Sequence, residues 1–125
     1  MSMKINKNIK YYHGTISAWP NIDRNCDDTV SVDAEMEFNR FIHLSVCYSM
    51  SGKDLEELYG DDDIEYFVDV KGDQMPKLAA KFQALDGDTL VKRIVERFSP
   101  FGENAYHKFK EFLDKKGIIY STSAY

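Results

Sequence analysis

The chain has 125 residues, 43% hydrophobic and 14% aromatic, enough apolar surface to bury a core as one domain over residues 1–125, which excludes global disorder. Cys26 and Cys47 are its two cysteines, and without CxxC spacing they exclude a disulfide scaffold. The formal net charge of −5 excludes a general electrostatic grip on nucleic acid.

The charge is uneven. Residues 1–70 hold 14 acids and 6 bases, and residues 71–125 hold 7 acids and 10 bases. The acidic half is therefore suited to a basic partner.

In chain order, residues 9–13 form the first strong element, a strand rich in aromatics that Gly14 is expected to end. Residues 15–21 read as loop, because Pro20 breaks any helix. Residues 23–37 are polar and acidic. Within them Val30, Val32, Ala34 and Met36 alternate with polar neighbours and predict a short edge strand. Residues 41–45 form a stronger strand, with His43 turned away from Ile42 and Leu44. Residues 51–54 open a short helix carrying Leu55, Leu58 and Tyr59, stopped by Gly60. Asp61, Asp62 and Asp63 form a turn. Residues 64–70 are a strand in which Ile64, Tyr66, Val68 and Val70 share one face.

The second half is helical. Pro76 fits a first helical position, and Leu78, Phe82 and Leu85 make one apolar stripe. Asp88 or Thr89 is expected to cap the next helix, whose buried face is Leu90, Val91, Ile94, Val95 and Phe98. Residues 99–102 break it. A third helix spans residues 103–116, with Tyr106, Phe109, Phe112 and Leu113 inward. Lys115 and Lys116 complement its C-terminal end, and Gly117 suits a left-handed cap. Residues 118–120 form a last short strand. Strands, then helices, then one returning strand predict an α+β fold rather than a βαβ alternation.

The cysteines and histidines have no zinc-ligand spacing. An acidic start at Asp61 and Asp63 lacks the glycine turn of a calcium loop, so no metal site is expected. His13 stands beside Gly14, where backbone has room to approach a ligand. Cys47 with His13 or His43 is formally a thiol–imidazole pair, but nothing in the sequence lowers the thiol pKa.

Residues 11–15, Tyr-Tyr-His-Gly-Thr, resemble the Tyr-His-Gly-Thr strand of the His-Tyr-Glu class of ADP-ribosyltransferases. Phe41-Ile42-His43-Leu44-Ser45, followed by Tyr48 in a helix-opening segment, resembles that family's second motif. Residues 64–70 resemble the paired strand that follows it, and Lys116-Gly117-Ile118-Ile119-Tyr120 a late strand. The order of elements is similar to small phage anti-CRISPR ADP-ribosyltransferases. The resemblance implies a small split antiparallel sheet with packed helices, and mono-ADP-ribosyl transfer from NAD to a protein target. It implies catalytic roles for His13 and Tyr48, with His13, Gly14, Thr15, Ser45 and Tyr48 holding NAD. Such transfer needs an oxocarbenium-like ribose stabilised by a carboxylate or fixed dipole. Residues 118–125 carry no acid, so the resemblance leaves that role unassigned.

A second reading comes from charge alone. Glu57, Asp61, Asp62 and Asp63 lie in one acidic cluster that matches a basic protein surface. That predicts a non-catalytic inhibitor or immunity protein blocking a basic toxin or nuclease. The N-terminus lacks the apolar run of a signal peptide, and no stretch approaches the ~18 apolar residues of a membrane span. A cytoplasmic protein, in a bacterium or a host cell, is the expectation.

Overall fold

The computed structural model describes residues 8–22, 25–52, 55 and 63–125. Five strands pair antiparallel in sequence order: β1 (Ile9–Asn21), β2 (Cys26–Glu37), β3 (Arg40–Ser51), β4 (Asp63–Lys71) and β5 (Ser121–Ala124). Between β4 and β5 the chain forms α1 (Gln74–Lys81), α2 (Gly87–Phe98), a 3₁₀ segment (Ser99–Asn104) and α3 (Ala105–Lys115). The class is α+β, as the order of elements predicts. The strands make one continuous sheet, not the split sheet that the resemblance implies.

The sheet has one covered face. Along β2, Val30, Val32, Ala34 and Met36 point to it and are almost fully buried. Leu44 and Val46 of β3 and Val68 and Val70 of β4 join them. Leu78 of α1, Leu90 and Ile94 of α2, and Phe109 and Leu113 of α3 close the core from above. Each such Val, Leu, Ile, Met or Phe side chain contributes roughly 1.5–3 kcal/mol by leaving water. The strands alternate because one face is dry and the other is not.

The longest departure from expectation is β1. Gly14 does not end the strand, which runs on through residues 15–21 to Asn21. Pro20 is tolerated because β1 is an edge strand, where a missing N–H breaks no second ladder. Gly14 is required for packing instead. A Cβ there would lie 2.8 Å from Val91 Cγ1 and 2.9 Å from Val95 Cγ2. The β1–β2 register shifts between Thr15 and Ser17. This bulge turns both Ile16 and Ser17 toward the helices and re-aims Trp19 in place of Ala18.

Other differences are local. Residues 26–37 form the second strand of the sheet, not a short edge. Tyr48 lies within β3 rather than in a helix-opening segment. Helix α1 starts at Gln74, two residues before Pro76, and ends at Lys81, so Leu85 leaves the apolar stripe and is 91% exposed. Asp86, not Asp88 or Thr89, caps α2, accepting from the Thr89 backbone N–H at 2.7 Å. The third helix begins at Ala105. Gly117 has φ of 66°, the predicted left-handed cap. The last strand begins at Ser121 instead of Ile118, because Ile118 is needed in the core. Of the segment expected to open and form a helix after β3, Ser51 still belongs to β3, Leu55 is buried and helical, and Leu58, Tyr59 and Gly60 lie outside the described residues.

Among the described residues, no helix is long and apolar enough to cross a membrane.

Candidate functional site

The sheet creates two different surfaces, and the sequence-predicted residues divide between them. On the open face, β2 presents Asp27, Asp33, Glu35 and Glu37, and β4 presents Asp63, Glu65 and Asp69. Arg40 and Lys71 are the basic residues that the strand register places with them. Small side chains lie between the acids: Ser31 of β2, and Ser45 and Ser49 of β3. No described helix packs on this face, and most of its residues are half-buried or exposed.

His43 sits on the middle strand of the open face, opposite Glu35 of β2 and the last residue of β4. Its Nε2 lies 2.9 Å from Glu35 Oε1 and its Nδ1 lies 3.1 Å from Asp69 Oδ1. Lys71 continues the row, with Nζ 3.4 Å from Asp69 Oδ2. Burial opposes a charge on His43, but hydrogen bonds and charge attraction from Glu35 and Asp69 together outweigh it, so its pKa is raised above the ordinary 6.5. His13, nearer the sheet edge, pairs with Asp33 at 2.6 Å and is 60% exposed.

Cys47 belongs to the same face and is buried among its neighbours. Burial pushes its thiol up to about 12, and the charges of Glu65 and Asp33 push the same way. This is the reverse of what activates a nucleophile, so the thiol–imidazole pairing with His13 or His43 has no activated sulfur.

The covered face holds the second surface. Beyond the end of the helical layer, a cleft of about 790 Å³ opens between β3, β4, β5 and α3. Tyr48, Tyr66 and Tyr106 line it, with Asn21, His107, Lys110, Thr122 and Ser123. The Tyr48 ring meets Trp19, Tyr66 and Tyr106 edge-to-face, with centroids 5.7, 6.5 and 6.1 Å apart. Its hydroxyl donates to Asp28 Oδ2 at 2.5 Å.

Asp28 is a fully buried carboxylate. It also accepts from Asn21 Nδ2 at 3.0 Å and from Cys26 Sγ at 3.1 Å. A buried charge is costly unless it is hydrogen-bonded, and these donors supply the compensation. Burial raises the Tyr106 pKa above the ordinary 10, with neighbouring groups including Tyr120 and Tyr66 adding to it, so this wall of the cleft stays neutral at physiological pH.

The resemblance assigns NAD to His13, Gly14, Thr15, Ser45 and Tyr48. The structure does not bring these five together. His13, Thr15 and Ser45 share the open face, since His13 pairs with Asp33, Asp33 with Ser45, and Thr15 with Ser31. Tyr48 pairs with Val30, on the covered face. Gly14 is roofed by Val91 and Val95. Of the acidic cluster, Asp63 opens β4, while Glu57, Asp61 and Asp62 lie outside the described residues. Among the described residues, no three His, Cys, Asp or Glu side chains are placed so that they could hold a metal ion.

Sequence reasoning missed Asp28, Trp19, Tyr106 and Lys110 as neighbours. One signal was present. Asp28 continues the alternation of Val30, Val32 and Ala34, so it stands in the buried register, where a lone carboxylate calls for partners.

The chain matches no protein-family model, no curated protein and no solved structure.

Proposed function

We propose that this chain is a non-catalytic binding protein, of the inhibitor or immunity type, that lays the open face of its sheet against a basic protein surface such as that of a toxin or nuclease. One observation carries the reading: a broad sheet face that no described helix covers, on which acids of β2 and β4 flank a row of small serines. Nucleases gather positive charge to hold phosphates, and an acidic face with short side chains approaches such a site closely. Complementary charge of this kind chiefly sets association rate and partner choice.

The test is affinity capture followed by titration. Immobilised wild-type protein is expected to retain a basic protein at low salt and release it as salt rises. Asp33→Lys combined with Glu65→Lys should weaken binding at least about tenfold with an unchanged unfolding curve. Retention of no basic protein, or equal affinity of the charge-reversed variant, overturns the reading.

NAD-dependent transfer is the second reading. The observation in its favour is Tyr48, the residue that the resemblance assigns to nicotinamide stacking, in the wall of a cleft with Tyr66. Saturable NAD binding at millimolar concentration, lost in Tyr48→Ala, would favour it over the binding-protein reading.

A further inference from the structure

The cleft on the covered face is separate from the acidic surface and differs from it in chemistry. Its volume, about 790 Å³, falls within the range of small-molecule sites. Its walls are phenol rings, and its polar groups gather on two elements. His107 and Lys110 stand three residues apart on α3, hence on one side of that helix. Thr122, paired with Val68 on the covered side, supplies a hydroxyl from β5. In a chain of net charge −5, no described lining residue is acidic. Asp28 lies behind Tyr48, fully buried with its hydrogen bonds made.

We infer that this cleft is a binding site for a small aromatic anion, a single ring bearing a carboxylate or a phosphate. The ring packs among Tyr48, Tyr66 and Tyr106. Tyr48 is held in place by three edge-to-face contacts and by its bond to Asp28, so the wall is pre-organised rather than formed on binding. Tyr66 keeps 38% of its surface exposed. The anion lies toward Lys110, whose ammonium sits 5.7 Å from the Tyr106 ring centroid, and toward His107, whose ring lies 5.8 Å from the same ring. An ammonium and an imidazole above an apolar floor give an anion charge-assisted hydrogen bonds that a neutral ring does not make.

Trp19 gives the measurement. It is the chain's single tryptophan, and its ring meets Tyr48 at 5.7 Å, so a ligand against Tyr48 changes its emission. Fluorescence titration, repeated by calorimetry, uses phenyl phosphate and phenylacetate as the two anionic arms and benzyl alcohol as the neutral one. At least one anion is expected to saturate, with affinity at least about tenfold above the alcohol. Lys110→Gln should reduce that preference about tenfold while leaving the unfolding midpoint in place, and His107→Gln should reduce it less. Asp33→Lys, on the opposite face, should leave it unchanged, which keeps this test independent of the partner-binding reading. Equal affinity for anions and alcohol, no saturation by any of the three at 10 mM (roughly the Kd of the weakest specific contacts), or indifference to both α3 substitutions would overturn the inference.

Discussion

The hydroxyl of Tyr48 on β3 donates to the buried carboxylate of Asp28 on β2 at 2.5 Å. The two strands are adjacent, and both residues face the helical side of the sheet. A charge has been taken out of water there, and a phenol from the next strand helps to stabilise it.

Tyr48→Phe removes a donor from a carboxylate that has no access to water. The expected loss is about 1–3 kcal/mol of stability in urea unfolding. Because the two groups touch, Tyr48→Phe and Asp28→Ala should not add: a double-mutant cycle is expected to show coupling of roughly 0.5–3 kcal/mol. Strict additivity would mean that the bond contributes nothing.

Gly14→Ala is expected to destabilise the fold by about 1–3 kcal/mol, because its Cβ collides with Val91 and Val95 in the packed core. Trimming the helix in the Gly14→Ala, Val91→Ala double variant should recover part of that loss. If Gly14 served ligand approach instead, the alanine variant would unfold like wild type.

His43 makes stability depend on pH. Its folded pKa lies above 6.5 while its unfolded pKa is ordinary. Its contribution is therefore fully present below about pH 6.5 and is lost as pH rises through the folded value. Wild-type stability should fall across that window by more than that of His43→Gln. The same deprotonation leaves Glu35 and Asp69 with less compensation, so binding of a basic partner should tighten as pH rises there. A parallel pH profile in the variant would remove His43 from the account.

Cys47 should be inert in the folded protein. Its thiol, held up to about 12 by burial and by neighbouring acids, is almost wholly protonated at pH 8. A thiol reagent is expected to label it only at the rate of unfolding, and urea should accelerate that labelling sharply. Rapid labelling of native protein at position 47 would contradict the burial.

Much of the fold was legible in local pattern. Leu90, Val91, Ile94 and Phe98 recur at helical spacing and face the core; Ile64, Tyr66, Val68 and Val70 recur at strand spacing on the covered side, with Tyr66 at the cleft. Gly117 was legible as a left-handed cap because one glycine after lysines at a helix end has few other uses. Residues 15–21 misled for a physical reason. Pro20 forbids the interior of a helix but forbids a strand only in the middle of a sheet, and whether β1 is an edge is a property of the whole sheet.

The sequence by itself determined the α+β class, the inward faces of α2 and α3 and the acidic bias of the first half, since these depend on neighbours a few residues apart. Only the tertiary structure decided which strand residues share a face across distances of 20 to 40 positions. The bulge between Thr15 and Ser17 changes which later residues of β1 face the helices. Strand pairing then puts His13 with Asp33 on the open side and Tyr48 with Asp28 on the covered side. Side chains alternate strictly along a strand, so a register set by distant packing assigns every one of them to a surface.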